Sequence, residues 1–251
     1  MPEKISRPRY ALLDELRGLA IILMVAYHAF FLLAFVFNSR TGRRLFDFMG
    51  PVQPFIAGTF ILLCGLCCQF SQSNLKRGLK LAGAAALVTL ATLAMTLSGV
   101  DEVIWFGVLH FLACAVLLFS LLQMAQKAIG AKMPDKVPPV VQMIGFAALF
   151  FVFAFWRPFP RTGFFPLYAL GFPSNTLRSA DYFPLIPWLF LFLAGTAVGI
   201  YGKQGRFPGW LEKSRIPLLA WLGRHSLLIY LLHQPLLYGV LMGLEAVGVR
   251  L

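Results

Sequence analysis

Apolar residues in this chain fall in long, nearly unbroken runs rather than in the one-sided stripe of a soluble helix. Seven runs are near the roughly 17–25 residues that cross a bilayer at a rise of about 1.5 Å per residue. They are Gly18–Phe37, Pro51–Phe70, Leu79–Leu97, Val103–Met124, Pro139–Phe155, Phe183–Tyr201 and Ile216–Gly243. Short polar connections separate them, and the last run is long enough to be tilted or bent. The pattern predicts an all-α polytopic transmembrane helix bundle of about seven spanning helices, forming a single domain over residues 1–251. The first run has full span length and lacks a small-residue cleavage site after it, so it reads as a retained helix rather than a signal peptide. The longest connection, 157–182, is rich in Pro, Gly and aromatic residues. Connections of that length in a compact fold are usually functional or disordered, and a functional one is expected here.

Composition excludes the soluble alternatives. The chain is 59% apolar and 13% charged, against about 45–50% and 25% in water-soluble domains. Four cysteines with no paired spacing in a polar loop exclude a disulfide scaffold or a zinc finger. The formal charge of +12 could suggest a nucleic-acid partner, but the basic residues sit mostly in short connections, where they report topology instead. On one side lie Lys4, Arg7, Arg9, Arg17, Lys76, Arg77, Lys80, Lys127, Lys132, Lys136, Lys203, Arg206, Lys213 and Arg215. The other side holds only Arg40, Arg43, Arg44, Arg157, Arg161, Arg178 and Arg250. This bias predicts an integral multi-pass protein with a cytoplasmic N-terminus and an outside C-terminus, opposite to a seven-helix receptor. The partner it implies is the lipid bilayer, not nucleic acid.

An ionisable side chain at bilayer depth costs about 2.5–3.5 kcal/mol on insertion scales, so each one needs a partner, a wet cavity or a task. Asp14, Glu15 and Arg17 stand at the mouth of the first run, and His28 lies inside it. The spacing from Arg17 to His28 places both on one helical face, about 16 Å apart along the axis. A ligand lying along that face could touch a cation near one surface and an imidazole near mid-membrane. The bland alternative is equally physical: Arg17 pairs with Asp14 at i, i+3 and snorkels, and His28 bonds to a neighbouring helix. His110 in the fourth run, His233 in the seventh, and Asp181 with Tyr182 at the mouth of the sixth could by depth meet His28 in the outer half of the bundle. Cys64 and Cys68 share a face at i, i+4, which would suit a soft metal. Their apolar neighbours make them, like Cys67 and Cys114, small packing residues. No metal site is expected. Trp105, Trp156 and Trp188 near the ends of runs read as interfacial belt residues.

Four blocks carry a resemblance. The segment from Leu13 through Asp14, Glu15, Leu16, Arg17 and Gly18 to Tyr27 and His28 resembles the opening motif of membrane-bound acyltransferases, with the Arg-to-His spacing matched. Phe106–Phe111, which contains His110, and Asp181–Trp188 resemble the bacterial branch of the heparan-α-glucosaminide N-acetyltransferase catalytic-domain family. The closing stretch Leu222–His233, which includes Arg224, is similar to the last-helix signature of the wider superfamily. The resemblance implies transfer of an acetyl or other acyl group from cytoplasmic acyl-CoA to a hydroxyl or amine on a glycan or glycolipid at the outer side of a bacterial inner membrane. Acetyl-CoA would be the donor co-substrate. The chain departs from its lysosomal relatives in one respect: 38–50 contains no histidine, so only the role of His28 carries over. With fewer spans than larger relatives, it leaves open a site shared in a homodimer.

Acyl transfer needs a base, a stabilised oxyanion and a grip on the CoA phosphates. His28 is the expected base, and Arg17, with Lys76, Arg77 and Lys80, is expected to hold phosphate. His110 or Tyr182 would donate to the oxyanion, while Asp181 would orient a histidine or bind the sugar. Asp14, Arg224 and His233 are expected to support the site. Two other classes stay open: a haem b electron carrier with His28 and His110 as axial ligands, and a non-catalytic transporter or partner subunit for envelope lipids.

Overall fold

The fold comes from a computed structural model that describes residues 10–97, 103–130, 137–156, 159–175, 179 and 181–249. Of the basic residues used for topology, Lys4, Arg7, Arg9, Lys132, Lys136, Arg157, Arg178 and Arg250 lie outside the described residues.

The regular elements are helical: α1 (Ala11–Phe31, continued by a π turn Leu32–Val36), α2 (Arg40–Met49), α3 (Gln53–Cys68), α4 (Asn74–Thr96), α5 (Val108–Ala128), α6 (Pro139–Phe155), α7 (Phe165–Leu170), α8 (Leu185–Lys203), α9 (Pro217–Arg224) and α10 (Ser226–Ala246). Among the described residues six helical segments are long and apolar enough to cross a membrane: Ala11–Val36, Arg40–Cys68, Asn74–Thr96, Val108–Ala128, Leu185–Lys203 and Ser226–Ala246. The shorter apolar helix α6, 17 residues long, matches the remaining expected run. The chain is therefore an all-helical, polytopic membrane protein.

Three boundaries differ from the hydropathy reading, each for a local reason. Helix α1 begins at Ala11, about two turns before the apolar run, because its polar first turns are bonded rather than solvated. The segment expected as a loop at 38–50 contains the polar helix α2, capped by the Ser39 hydroxyl, which accepts from the Gly42 N–H at 3.1 Å. The expected last span, Ile216–Gly243, is two helices: His225 leaves helical geometry (φ −99, ψ 13), and its Nδ1 bonds the Trp221 carbonyl at 2.9 Å. Hydropathy cannot register that break, because both sides of it are apolar.

Backbone contacts divide the chain into two compact units, Met1–Phe60 with Phe207–Leu251, and Ile61–Arg206. In the first, α9 lies directly on the start of α1. A Cβ at Gly18 would meet the Leu219 carbonyl oxygen at 2.0 Å, and one at Gly223 would meet the Asp14 carbonyl oxygen at 1.8 Å. Only glycine permits this reciprocal crossing, the small-residue packing expected where lipid removes any hydrophobic drive between helices. Helix α2 folds back along α1, with Phe46 against Tyr27 (centroids 5.1 Å) and Phe31 (5.9 Å). Ala20, Met49 and Ile56 are buried beside Leu23, Met24 and Tyr27.

Buried Glu15 ties the same crossing together. Its Oε1 accepts from the Ser214 hydroxyl (2.7 Å) and the backbone N–H groups of Arg215 (2.6 Å) and Ile216 (2.9 Å), just ahead of α9. Leaving buried donors unpaired costs about 1–3 kcal/mol each. Glu15→Ala is therefore expected to destabilise the protein by on the order of 3 kcal/mol, with Glu15→Gln recovering part of the loss. Thermal unfolding in detergent checks this, and equal melting of wild type and Glu15→Ala would refute it.

In the second unit a similar glycine crossing joins α3 to α8: a Cβ at Gly65 would lie 2.0 Å from the Phe192 carbonyl oxygen, and one at Gly195 2.1 Å from that of Leu62. Helix α6 packs on α8 through Phe150 against Trp188 (5.3 Å) and Phe153 against Phe190 (5.5 Å). Phe111 and Phe192 of this unit are fully buried.

Candidate active site

His28 on α1 and His233 on α10 come from opposite ends of the chain and meet in the first unit, with ring centroids 4.8 Å apart. Each ring is oriented by its own helix. His28 Nδ1 lies 3.0 Å from the Met24 carbonyl oxygen, with the Met24 Sδ at 3.1 Å, and His233 Nδ1 lies 2.6 Å from that of Tyr230. A carbonyl can only accept, so in both neutral imidazoles the proton sits on Nδ1 and Nε2 is left as a lone pair. His233 Nε2 is buried with no hydrogen-bond partner. Tyr27 packs edge-on to His28 at 5.5 Å, and Tyr230 flanks His233 at 5.4 Å.

The opening motif has a largely structural reading alongside this. Arg17 bonds Asp14 at 3.0 Å, the i, i+3 pair expected of it. Glu15 bonds to 214–216 and Gly18 abuts Leu219. The closing signature supplies Gly223 for the same crossing and His233 for the imidazole pair, while Arg224 is exposed. Two motif blocks far apart in sequence are thus two sides of one helix junction.

The second unit holds His110, Asp181 and Tyr182, gathered at the start of α5. The Gly107 N–H donates to His110 Nδ1 at 3.3 Å, so the proton of this ring lies on Nε2, which donates to the Thr89 hydroxyl at 2.9 Å. Thr89 in turn donates to the Ile104 carbonyl at 2.8 Å. Asp181 Oδ2 accepts from the Val108 N–H at 2.9 Å, an acidic group where the helix dipole favours one. The Tyr182 hydroxyl donates to the Tyr168 carbonyl at 2.6 Å, and the two rings stack at 4.4 Å. Burial pushes the Tyr168 phenol, on the short helix α7, above its ordinary range. The donors of His110 and Tyr182 already have acceptors, so donation to an oxyanion would require these bonds to exchange. Both nitrogens of His110 are engaged, which leaves no lone pair there for a haem iron.

Of the residues expected to hold phosphate, Lys76 and Lys80 are exposed, whereas the Arg77 guanidinium turns inward. Its terminal nitrogens lie 3.2 Å from Cys64 Sγ and 3.7 Å from Cys68 Sγ. The cysteines read as apolar packing residues therefore face a cation. Hydropathy missed it because Arg77 follows a turn after α3 and the two segments look independent. Four free cysteines and no cluster of His, Cys, Asp or Glu able to hold a metal ion are found among the described residues.

No curated protein and no solved structure matches the chain. The family model described as heparan-alpha-glucosaminide N-acetyltransferase, catalytic, matches residues 9–235, a stretch that includes all four motif blocks, the glycine junction and the paired imidazoles. The chain belongs to that family of membrane acetyltransferases.

Proposed function

We propose that this protein transfers an acetyl group from acetyl-CoA to a hydroxyl or amine of a sugar acceptor, with His28 as the general base. The observation that carries the reading is the orientation of the imidazole pair: Nδ1 of His28 is tied to the Met24 carbonyl, so its Nε2 lone pair is available to an incoming donor. The acceptor hydroxyl or amine would donate to Nε2, which takes the proton as the acceptor oxygen or nitrogen bonds to the thioester carbon. The carbonyl electrons move onto oxygen, then return as the C–S bond breaks. The CoA thiolate leaves and takes the proton from the imidazolium. His233, 4.8 Å away by ring centroid, positions the acceptor by accepting a hydrogen bond from a second hydroxyl or amine of the same sugar. His110, Asp181 and Tyr182 act by holding the start of α5 and the chain before α8.

The donor would bind from the cytoplasmic side, where the basic bias puts the N-terminus, with Arg17 held by Asp14 as a planar donor fork for CoA phosphate. Glycan or glycolipid would be presented at the opposite face of a bacterial inner membrane. Arg17→Ala is expected to raise the KM for acetyl-CoA about tenfold or more, in line with about 1.5–3 kcal/mol for a charged hydrogen bond, with a smaller change in kcat. An unchanged donor titration would remove Arg17 from the donor site.

Binding and turnover of labelled acetyl-CoA by the purified protein in detergent test the whole reading without knowledge of the acceptor. Saturable binding with slow release of free CoA is expected. A folded protein that neither binds nor consumes the thioester would favour the transporter class instead.

A further inference from the structure

Beside the imidazole pair, the first unit contains a cavity of about 310 Å³. Val25 of α1, Trp221 and His225 at the end of α9, and Leu228, Leu232 and His233 of α10 line it. No Asp, Glu, Lys or Arg borders it among the described residues. From His225 to His233 the α10 side of the groove runs about 12 Å at helical rise. Its walls are hydrocarbon and aromatic, and its buried polar feature is His233, which is 6% exposed and whose Nε2 has no partner.

Those two properties select the occupant. Apolar walls favour a hydrocarbon chain and disfavour a charged or strongly hydrated group. The lone pair at Nε2, left by donation from Nδ1 to the Tyr230 carbonyl, accepts a hydrogen bond and cannot give one. A fatty acyl thioester or ester carbonyl, itself an acceptor, would leave that nitrogen unpaired. A chain that ends in a hydroxyl or amine would satisfy it. We propose that the groove binds the hydrocarbon portion of a lipid-linked acceptor, one hydroxyl or amine of which donates to His233 Nε2 while a neighbouring one faces His28. The acetylation of that acceptor rests on the acetyltransferase reading, whereas its binding does not. The acceptor is then an amphiphile that enters along α10 from within the bilayer, not a free sugar.

Photolabelling tests the groove independently of catalysis. The full-length protein in nanodiscs is exposed to a diazirine-bearing hexadecanol and the labelled peptides are mapped by mass spectrometry. Saturable labelling within 221–237 is expected, displaced by unlabelled hexadecanol and at least tenfold less well by its methyl ether, which has the same chain and no donor. His233→Phe should remove the preference for alcohol over ether, and Leu228→Trp should cut labelling about tenfold by filling the groove. Label that does not saturate and spreads over other exposed apolar positions, such as Leu90 and Leu149, would overturn the proposal. Equal displacement by the ether in wild type would do the same, whatever the variants show.

A second arm uses turnover, with labelled acetyl-CoA and methyl, butyl, octyl and decyl glucosides as acceptors. KM is expected to fall at least tenfold from methyl to decyl in wild type, and the dependence to flatten in Leu228→Trp. Acetylation of methyl and decyl glucosides with equal KM and no saturable label would sink the groove while leaving the enzyme. Saturable label with no acetyl transfer to any acceptor would keep the groove and sink the acetyltransferase reading.

Discussion

His28→Asn is expected to reduce acetyl transfer by about 10²–10⁴-fold, the range a positioned general base supplies, with little change in the melting temperature. The choice of asparagine comes from the geometry. Its amide nitrogen can replace Nδ1 as the donor to the Met24 carbonyl, now bonded at 3.0 Å, but nothing replaces the Nε2 lone pair. The substitution therefore separates the base from the helix contact, whereas His28→Ala removes both. Acetyl-CoA affinity should persist, because the expected phosphate contact, Arg17, lies near the start of α1. Labelled acetyl-CoA turnover and equilibrium binding, measured on the same preparation, make the comparison. If a folded His28→Asn protein turned over within a few-fold of wild type, the base assignment would fail and the helix contact alone would explain His28.

The second large effect concerns folding. Gly223→Val places side-chain atoms where the Asp14 carbonyl oxygen already stands, 1.8 Å from an ideal Cβ. That neighbour is backbone, so no rotamer change relieves the clash and α9 must lift off α1. Even one added methylene in a tight site costs about 1–3 kcal/mol, and here the displaced contacts include those of Glu15 to 214–216. Gly223→Val is expected to yield little or no folded protein. Gly223→Ala and Gly18→Ala should each lower the melting temperature clearly. Gly239→Ala, with nothing within 4 Å of its Cβ, is the control and should melt like wild type or slightly higher, since alanine is the better helix former. Fluorescence-detected gel filtration and thermal unfolding read all four, and a normally folded Gly223→Val protein would show that the crossing tolerates separation.

These two expectations divide the motif residues by task. Asp14, Glu15, Gly18 and Gly223 build a junction between the start of α1 and α9, while His28 and His233 stand farther along their helices, where the proposed chemistry would take place. On the proposed function, mutation of Glu15 and mutation of His28 should abolish activity for different reasons.

Much of this protein was legible in its order of residues. Apolar runs of spanning length, the short polar connections and the low charge determine a polytopic helical membrane protein, because the bilayer demands that backbone hydrogen bonds be closed within each segment. The ordered motif blocks were enough to reach the family. Tertiary structure alone decided what each polar residue contacts. That His28 meets His233, that His110 is spent on the start of α5, that Arg77 reaches two thiols, and that the last apolar run breaks at His225 all depend on contacts between distant segments. Hydropathy averages over a window and has no term for a partner supplied by another helix. A buried ion or imidazole looks equally costly before its partner is known, and only the fold shows whether its hydrogen bonds are already made or still open to a substrate.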